Sequence, residues 1–242
     1  MRWHLLISVF FLFAEKATAQ LPPALFTVTL GGREINIETI TNVDKGAKHK
    51  TTMLYFFSDP LNGKGIHDVF IKYADSLPSA VVMLKINIGK KEDSTSADLL
   101  HSMANDVVGK LLPQLKKYKR LSTDRLILAG VNEGAVLAFY CAASSAKIKR
   151  TGMFFSNYDP FIQLRKENDS ASFKLSGKVY IYNKKKRPDD ISADEFCEAV
   201  AMQPDLLLFK SDVVEEGDAE NAVAEFFGWI IAEGSNYVFK IQ

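Results

Sequence analysis

Apolar and polar positions alternate from Leu25 to Leu30 and again from Glu34 to Ile40, with Gly31-Gly32 between the two runs. Alternation of period two puts every second side chain on one face, and a Gly-Gly pair supplies the positive φ of a tight turn, so this stretch predicts an antiparallel hairpin. The pattern then changes. Met53 to Phe57 and Ala80 to Ile88 are short, continuous apolar runs, which suit strands buried on both faces of a parallel sheet. Between them Ile66 to Ser76 has helical character, giving strand, helix, strand.

From Ala97 to Tyr118 the residues Leu99, Leu100, Met103, Val107, Leu111 and Leu115 recur at helical spacing and predict one long amphipathic helix, kinked at Pro113. It leads into a strand over Arg125 to Ala129. The units that follow are a helix over 133–146, strands over 151–156 and 177–182, a helix over 192–202, a strand over 205–210 and a helix over 218–232. This alternation predicts a doubly wound α/β fold, its sheet mostly parallel with an antiparallel N-terminal hairpin and helices on both faces. No internal repeat or low-complexity linker interrupts it, and Asp159 to Ser176 is the expected place for a mobile flap.

Ahead of this pattern, Met-Arg-Trp-His, an apolar stretch from Leu5 to Ala14 and the small residues Ala17-Thr18-Ala19 follow the order of a secretory signal peptide. Residues 1–19 are expected to be leader and 20–242 a single domain. The apolar stretch is too short to span a bilayer, no later one is long enough, and no cysteine sits near the cleavage point to carry a lipid. A soluble periplasmic or secreted protein with no transmembrane anchor is therefore expected. Without Arg2, Glu15 and Lys16 the formal charge falls close to zero, which argues against nucleic acid as a partner. Hydrophobic residues make up 47% of the chain, enough for one sizeable core. The 2 cysteines, Cys141 and Cys197, exclude a disulfide-rich scaffold; both fall in helical segments and read as inert buried thiols, with a single disulfide open in an oxidising compartment.

The candidate chemistry centres on the strand that ends at Ala129. It runs directly into Gly130-Val131-Asn132-Glu133-Gly134 and then the small-residue helix Ala135-Val136-Leu137-Ala138, which is the strand, sharp turn and helix of a nucleophile elbow, Gly-x-Ser-x-Gly. The two glycines allow strand and helix backbones to approach, and the central residue takes a strained conformation that presents its side chain above the sheet. Here that residue is Asn132. Asparagine tolerates positive φ, so the turn is kept while the attacking hydroxyl is lost.

Leu111-Leu112-Pro113, Tyr118, Asp124-Arg125 and this elbow resemble the corresponding run in esterase D-like members of the α/β-hydrolase superfamily, over Lys110 to Ala143. Elsewhere the resemblance is one of element order, aided by Phe155-Ser156-Asn157 after the next strand. It implies a Ser, acid, His triad in that chain order. The sequence departs from it at each part. All 4 histidines, His4, His49, His67 and His101, precede the elbow, and Ser211 to Asp218 lies where the catalytic histidine is expected. Arg187 stands at the acid position, with Asp189 and Asp190 beyond it as helix-capping candidates. Ser58-Asp59-Pro60 replaces the His-Gly of the oxyanion loop, and Pro60 has no N–H to offer.

The resemblance therefore points to a degenerate member, a pseudohydrolase without triad catalysis, that binds a small ligand or an envelope or extracellular protein. The residual cleft candidates are Ser58, Asp59, Asn132, Lys184, Lys185 and Lys186, the lysines and Arg187 forming a cationic run at a strand's carboxyl end that suits an anionic ligand or acidic surface. The alternatives are an esterase-like hydrolase with a displaced catalytic set, such as Glu133 with Asp59 or Asp189, and a structural envelope component exposing an apolar patch. His49, His67 and His101 lack metal-ligand spacing and read as separate surface or helix-face residues, and neither a metal nor a cofactor is expected.

Overall fold

The computed structural model describes residues 23–40, 50–58, 64–75, 81–89, 97–118, 121–155, 175, 177–184, 206–213 and 218–231. The chain begins with β1 (Leu25–Leu30) and β2 (Arg33–Ile40), joined by Gly31 at φ 57° and Gly32 at φ 76°. Both φ values are positive, the signature of the primed turns that match the twist of a two-strand ribbon. The Gly31 N–H donates to the Asp106 carboxylate at 2.8 Å, tying this turn to a helix 75 residues further on.

Next come β3 (Lys50–Phe57), α1 (Lys64–Asp75), β4 (Val81–Asn87) and α2 (Ala97–Asp106). The last of these does not run on as a regular helix. A π turn, Val107–Leu111, intervenes before α3 (Leu112–Leu115), and the Leu112 N–H bonds the Val107 carbonyl. Pro113 cannot donate and its ring crowds the carbonyl four residues back, so the backbone widens in the turn before it. The expected irregularity is present, but it lies upstream of the proline rather than at it.

The remaining described elements are β5 (Leu121–Val131), α4 (Glu133–Ser144), β6 (Arg150–Phe155), β7 (Gly177–Lys184), β8 (Leu206–Val213) and α5 (Asp218–Ile231). They complete an 8-stranded sheet of order β1-β2-β4-β3-β5-β6-β7-β8. β1 and β2 join antiparallel and the other strands pair parallel. β5 starts earlier than the apolar run suggested. Ser122 pairs with Thr51 and Leu126 with Thr52, so Thr123, Asp124 and Arg125 bulge out between them. The predicted helix over 192–202 and the flap over Asp159 to Ser176, Leu175 apart, lie outside the described residues.

Alternate residues of the central strands feed two cores. Leu54, Phe56, Leu84, Leu128 and Met153 pack under α2, α3 and α4. Met53, Tyr55, Met83, Ile127 and Phe154 pack under α1 and α5, where Phe70 and Phe226 fill the space. Every residue of α4 from Glu133 to Ala142 is buried, Cys141 among them, and burial pushes the Cys141 thiol well above its ordinary pKa. Such a helix is apolar on all sides because the fold surrounds it.

Candidate functional site

From β3 the chain crosses to β4 on one side of it, then returns past β3 to β5 on the other. The gap between the carboxyl ends of β3 and β5 is thus a topological switch point, the place where open α/β sheets receive ligands. Ser58 follows β3 directly, and Asn132 and Glu133 follow β5, so the fold brings three of the predicted residues to this one point.

Asn132 adopts φ 53° and ψ −115°, and among the described residues no other non-glycine has positive φ. Its N–H donates to the Phe154 carbonyl at 2.8 Å, while its carbonyl accepts from Ala135 and Val136 and starts α4. These bonds fix the strained turn from both sides, at a cost of about 1–3 kcal/mol carried by the surrounding structure. A β-carbon at Gly130 would collide with the Gly134 carbonyl, and one at Gly134 with the Phe56 carbonyl. Strand, turn and helix therefore touch backbone to backbone. In one respect the site differs from an elbow that presents its central side chain: Asn132 is only 2% exposed.

The neighbouring side chain makes the contact that gives the site its character. Ser58 donates its hydroxyl to the Glu133 carboxylate at 2.7 Å, and the two are 3% and 2% exposed. In a hydrolase of this architecture the N–H after the nucleophile and an N–H from the loop after β3 form the oxyanion hole. Glu133 is the residue after the central position of the turn and Ser58 the first residue after β3, and their side chains close on each other. The sequence suggested Asp59 or Asp189 beside Glu133; Ser58 is the partner found, and both aspartates lie outside the described residues.

The histidines lie elsewhere. His67, on α1, is buried rather than at the surface: its Nδ1 is 3.1 Å from the Tyr55 hydroxyl, and its ring lies 4.6 Å from that of Phe57. Burial, with the Lys85 cation adding to it, lowers the His67 pKa. His101, on α2, packs its ring at a tilt against Tyr140 in the opposite core layer. The two rings therefore flank different faces of the sheet, and His49 lies outside the described residues. Among the described residues no group of three or more His, Cys, Asp or Glu is placed to hold a metal.

Lys184 ends β7, its backbone in register with Val213 of β8, and so belongs to the same carboxyl edge. Lys185, Lys186 and Arg187 lie outside the described residues, as do Ser156, Asp190 and Cys197. Neither the Ser58–Glu133 pair nor the Tyr55–His67 pair was visible as a pair beforehand. Ser58 and Glu133 each had a signal of its own: a polar residue ends an apolar strand run, and a charge opens an otherwise apolar helix.

No family model matches the sequence, and no curated protein matches it. Solved structures do. Est1E from Butyrivibrio proteoclasticus superposes with a TM-score of 0.59 at 10% identity, covering 86% of this chain and 98% of that one. Thermogutta terrifontis esterase 2 phosphoramylated by tabun gives 0.57 at 10%, covering 88% and 97%. Its native form gives 0.57 at 11%, covering 86% and 90%. The fold is that of the α/β-hydrolases. At such identities the likeness is one of fold. Among the described residues, no helix of this hydrolase-fold chain is long and apolar enough to cross a membrane.

Proposed function

We propose that this chain is an exported, catalytically degenerate α/β-hydrolase-fold protein that binds a ligand or partner at the switch point between β3 and β5. The observation that carries the reading is the hydrogen bond from Ser58 to Glu133 beside a strained Asn132. A carboxamide replaces the nucleophile, and the residue after it, whose backbone N–H would face a developing oxyanion, carries a buried carboxylate engaged by Ser58. The buried His67 of α1, paired with the Tyr55 hydroxyl of β3, supports the same reading, since a histidine engaged there does not serve as base at the elbow.

The test is hydrolysis of p-nitrophenyl acyl esters by the purified chain lacking residues 1–19, beside its Asn132→Ser variant. Neither is expected to exceed buffer, because restoring a hydroxyl restores neither base nor oxyanion hole. The esterase-like alternative draws on the same contact, in which Ser58 would attack and Glu133 would take its proton. Turnover by the wild type that disappears in Ser58→Ala and Glu133→Gln would establish that alternative and end the degenerate reading. Periplasmic or extracellular recovery of the full-length chain, with the leader removed after Ala19, tests export.

A further inference from the structure

The geometry points to β1 as a self-association edge, where a second copy of this chain adds its own β1 antiparallel and joins the two sheets in a register centred on Thr27. Among the described residues β1 ends the sheet with β2 as its neighbour, so its other edge is open. The hairpin fixes which backbone groups face that edge. Thr39 donates its N–H to the Ala24 carbonyl at 2.8 Å, and opposed residues of an antiparallel pair alternate between hydrogen-bonded and non-hydrogen-bonded. Ala24, Phe26, Val28 and Leu30 therefore direct their backbone groups to β2, and Leu25, Thr27 and Thr29 direct theirs outward.

Edge strands are commonly guarded by charges, prolines or bulges, and Leu-Phe-Thr-Val-Thr-Leu carries none of these, pairing with β2 in unbroken register. Pro22 and Pro23 have no N–H to add to a ladder upstream, and Gly31 and Gly32 turn the chain at the other end. The open edge is thus one short, uncharged ladder, matched in length and polarity by β1 of another copy. About a two-fold axis at Thr27, the two Thr27 residues bond each other reciprocally and Leu25 of each copy bonds the partner's Thr29, so every outward group is used. The same register sets Phe26 opposite the partner's Val28 as a non-hydrogen-bonded pair, the arrangement in which side chains come closest. Both residues are half-buried against the core beneath α2, and together they carry that core across the seam. On the other face Leu25, 65% exposed, gains the partner's Thr29 as cover, and no like charges meet.

A stable dimer uses about 20–30 residues a side, far more than one strand of 6 supplies, so the association is reversible, with a Kd on the order of 100 µM. Sedimentation equilibrium of the protein purified from expression of the full-length sequence, over about 10 µM to 1 mM, reads it directly. Thr27→Lys sets two like charges opposite each other on the axis, whereas in a lone copy the lysine is exposed and gives up only the surface bond to Asn36. It is expected to weaken dimerisation at least about ten-fold and to leave the monomer folded. Register is read from single cysteines in a Cys197→Ser background, Cys141 being buried. Thr27→Cys brings two Cα atoms about 5.5 Å apart and should form a disulfide-linked dimer under mild oxidation. Thr29→Cys leaves its two copies about 13 Å apart along the strands and should not.

A protein still monomeric at about 1 mM, unchanged dimerisation of a folded Thr27→Lys, or Thr29→Cys cross-linking as readily as Thr27→Cys would each overturn the inference. If Thr27→Lys does not fold, the two cysteine variants decide alone.

Discussion

Removing the Ser58 hydroxyl while leaving the Glu133 carboxylate is the sharpest perturbation of the site. In the wild type the pair is joined at 2.7 Å with both side chains buried. A hydrogen bond to a charged group contributes about 1.5–3 kcal/mol, and a buried acceptor left without its donor loses that amount or more. Ser58→Ala should therefore lower the unfolding free energy by about 2 kcal/mol. Ser58→Ala combined with Glu133→Leu removes the charge together with its partner. Replacing both members of a buried polar pair by apolar groups is often close to neutral, so the double variant should recover much of the loss. Urea denaturation reads this out as a shift in midpoint at unchanged m value, and the four corners of the cycle give the coupling. A coupling below about 0.5 kcal/mol would refute the claim that the two side chains act as a buried pair.

Gly134→Ala forces a β-carbon into the Phe56 carbonyl, whereas Gly109→Ala, on the exposed side of the π turn, meets nothing within 4 Å. The first should cost about 3 kcal/mol and lower Tm by roughly 6–12 °C, and the second should be neutral or slightly stabilising; a scanning calorimeter distinguishes them. His67 has a folded pKa below its unfolded value, so the unfolded chain binds the extra proton first and stability should fall as pH drops below about 6.5. His67→Phe should flatten that part of the pH–stability curve, although it also removes the bond to Tyr55. Cys141, buried and with its thiol pushed up, should resist an aromatic disulfide reagent in buffer and react in urea when tested in a Cys197→Ser background.

Much of the scaffold was legible because its signals are local. The alternation of Leu25 to Ile40, the apolar run at β3 and the glycines around Asn132 each fix a backbone choice within a few residues, and the strands, hairpin and turn follow from them. What escaped the sequence depends on pairing at a distance. Ser58 meets Glu133 across 75 positions only because the sheet order sets β3 beside β5. The early start of β5 reflects a bulge whose polar residues, Thr123 to Arg125, hide a strand from any hydropathy pattern. His67 reads as a lone polar residue on a helix face, and only the packing of α1 over Tyr55 and Phe57 encloses it. The π turn before Pro113 shows a similar limit: the proline marks that the helix must yield, and the neighbouring carbonyls decide where.

The sheet order also sets a timetable for folding. β3 finds its neighbours in β4 and β5, and the pairing of Lys50 with Leu121 and of Phe56 with Gly130 spans about 70 residues of chain. During synthesis β3 therefore emerges long before the strand that completes its second edge, and long-range parallel pairing of this kind is slow. Until β5 is in place, the strand Met-Leu-Tyr-Phe-Phe has one side unmatched, adhesive toward any other extended segment it meets. The elbow follows at once after β5, so the switch point can form as soon as that second edge is closed.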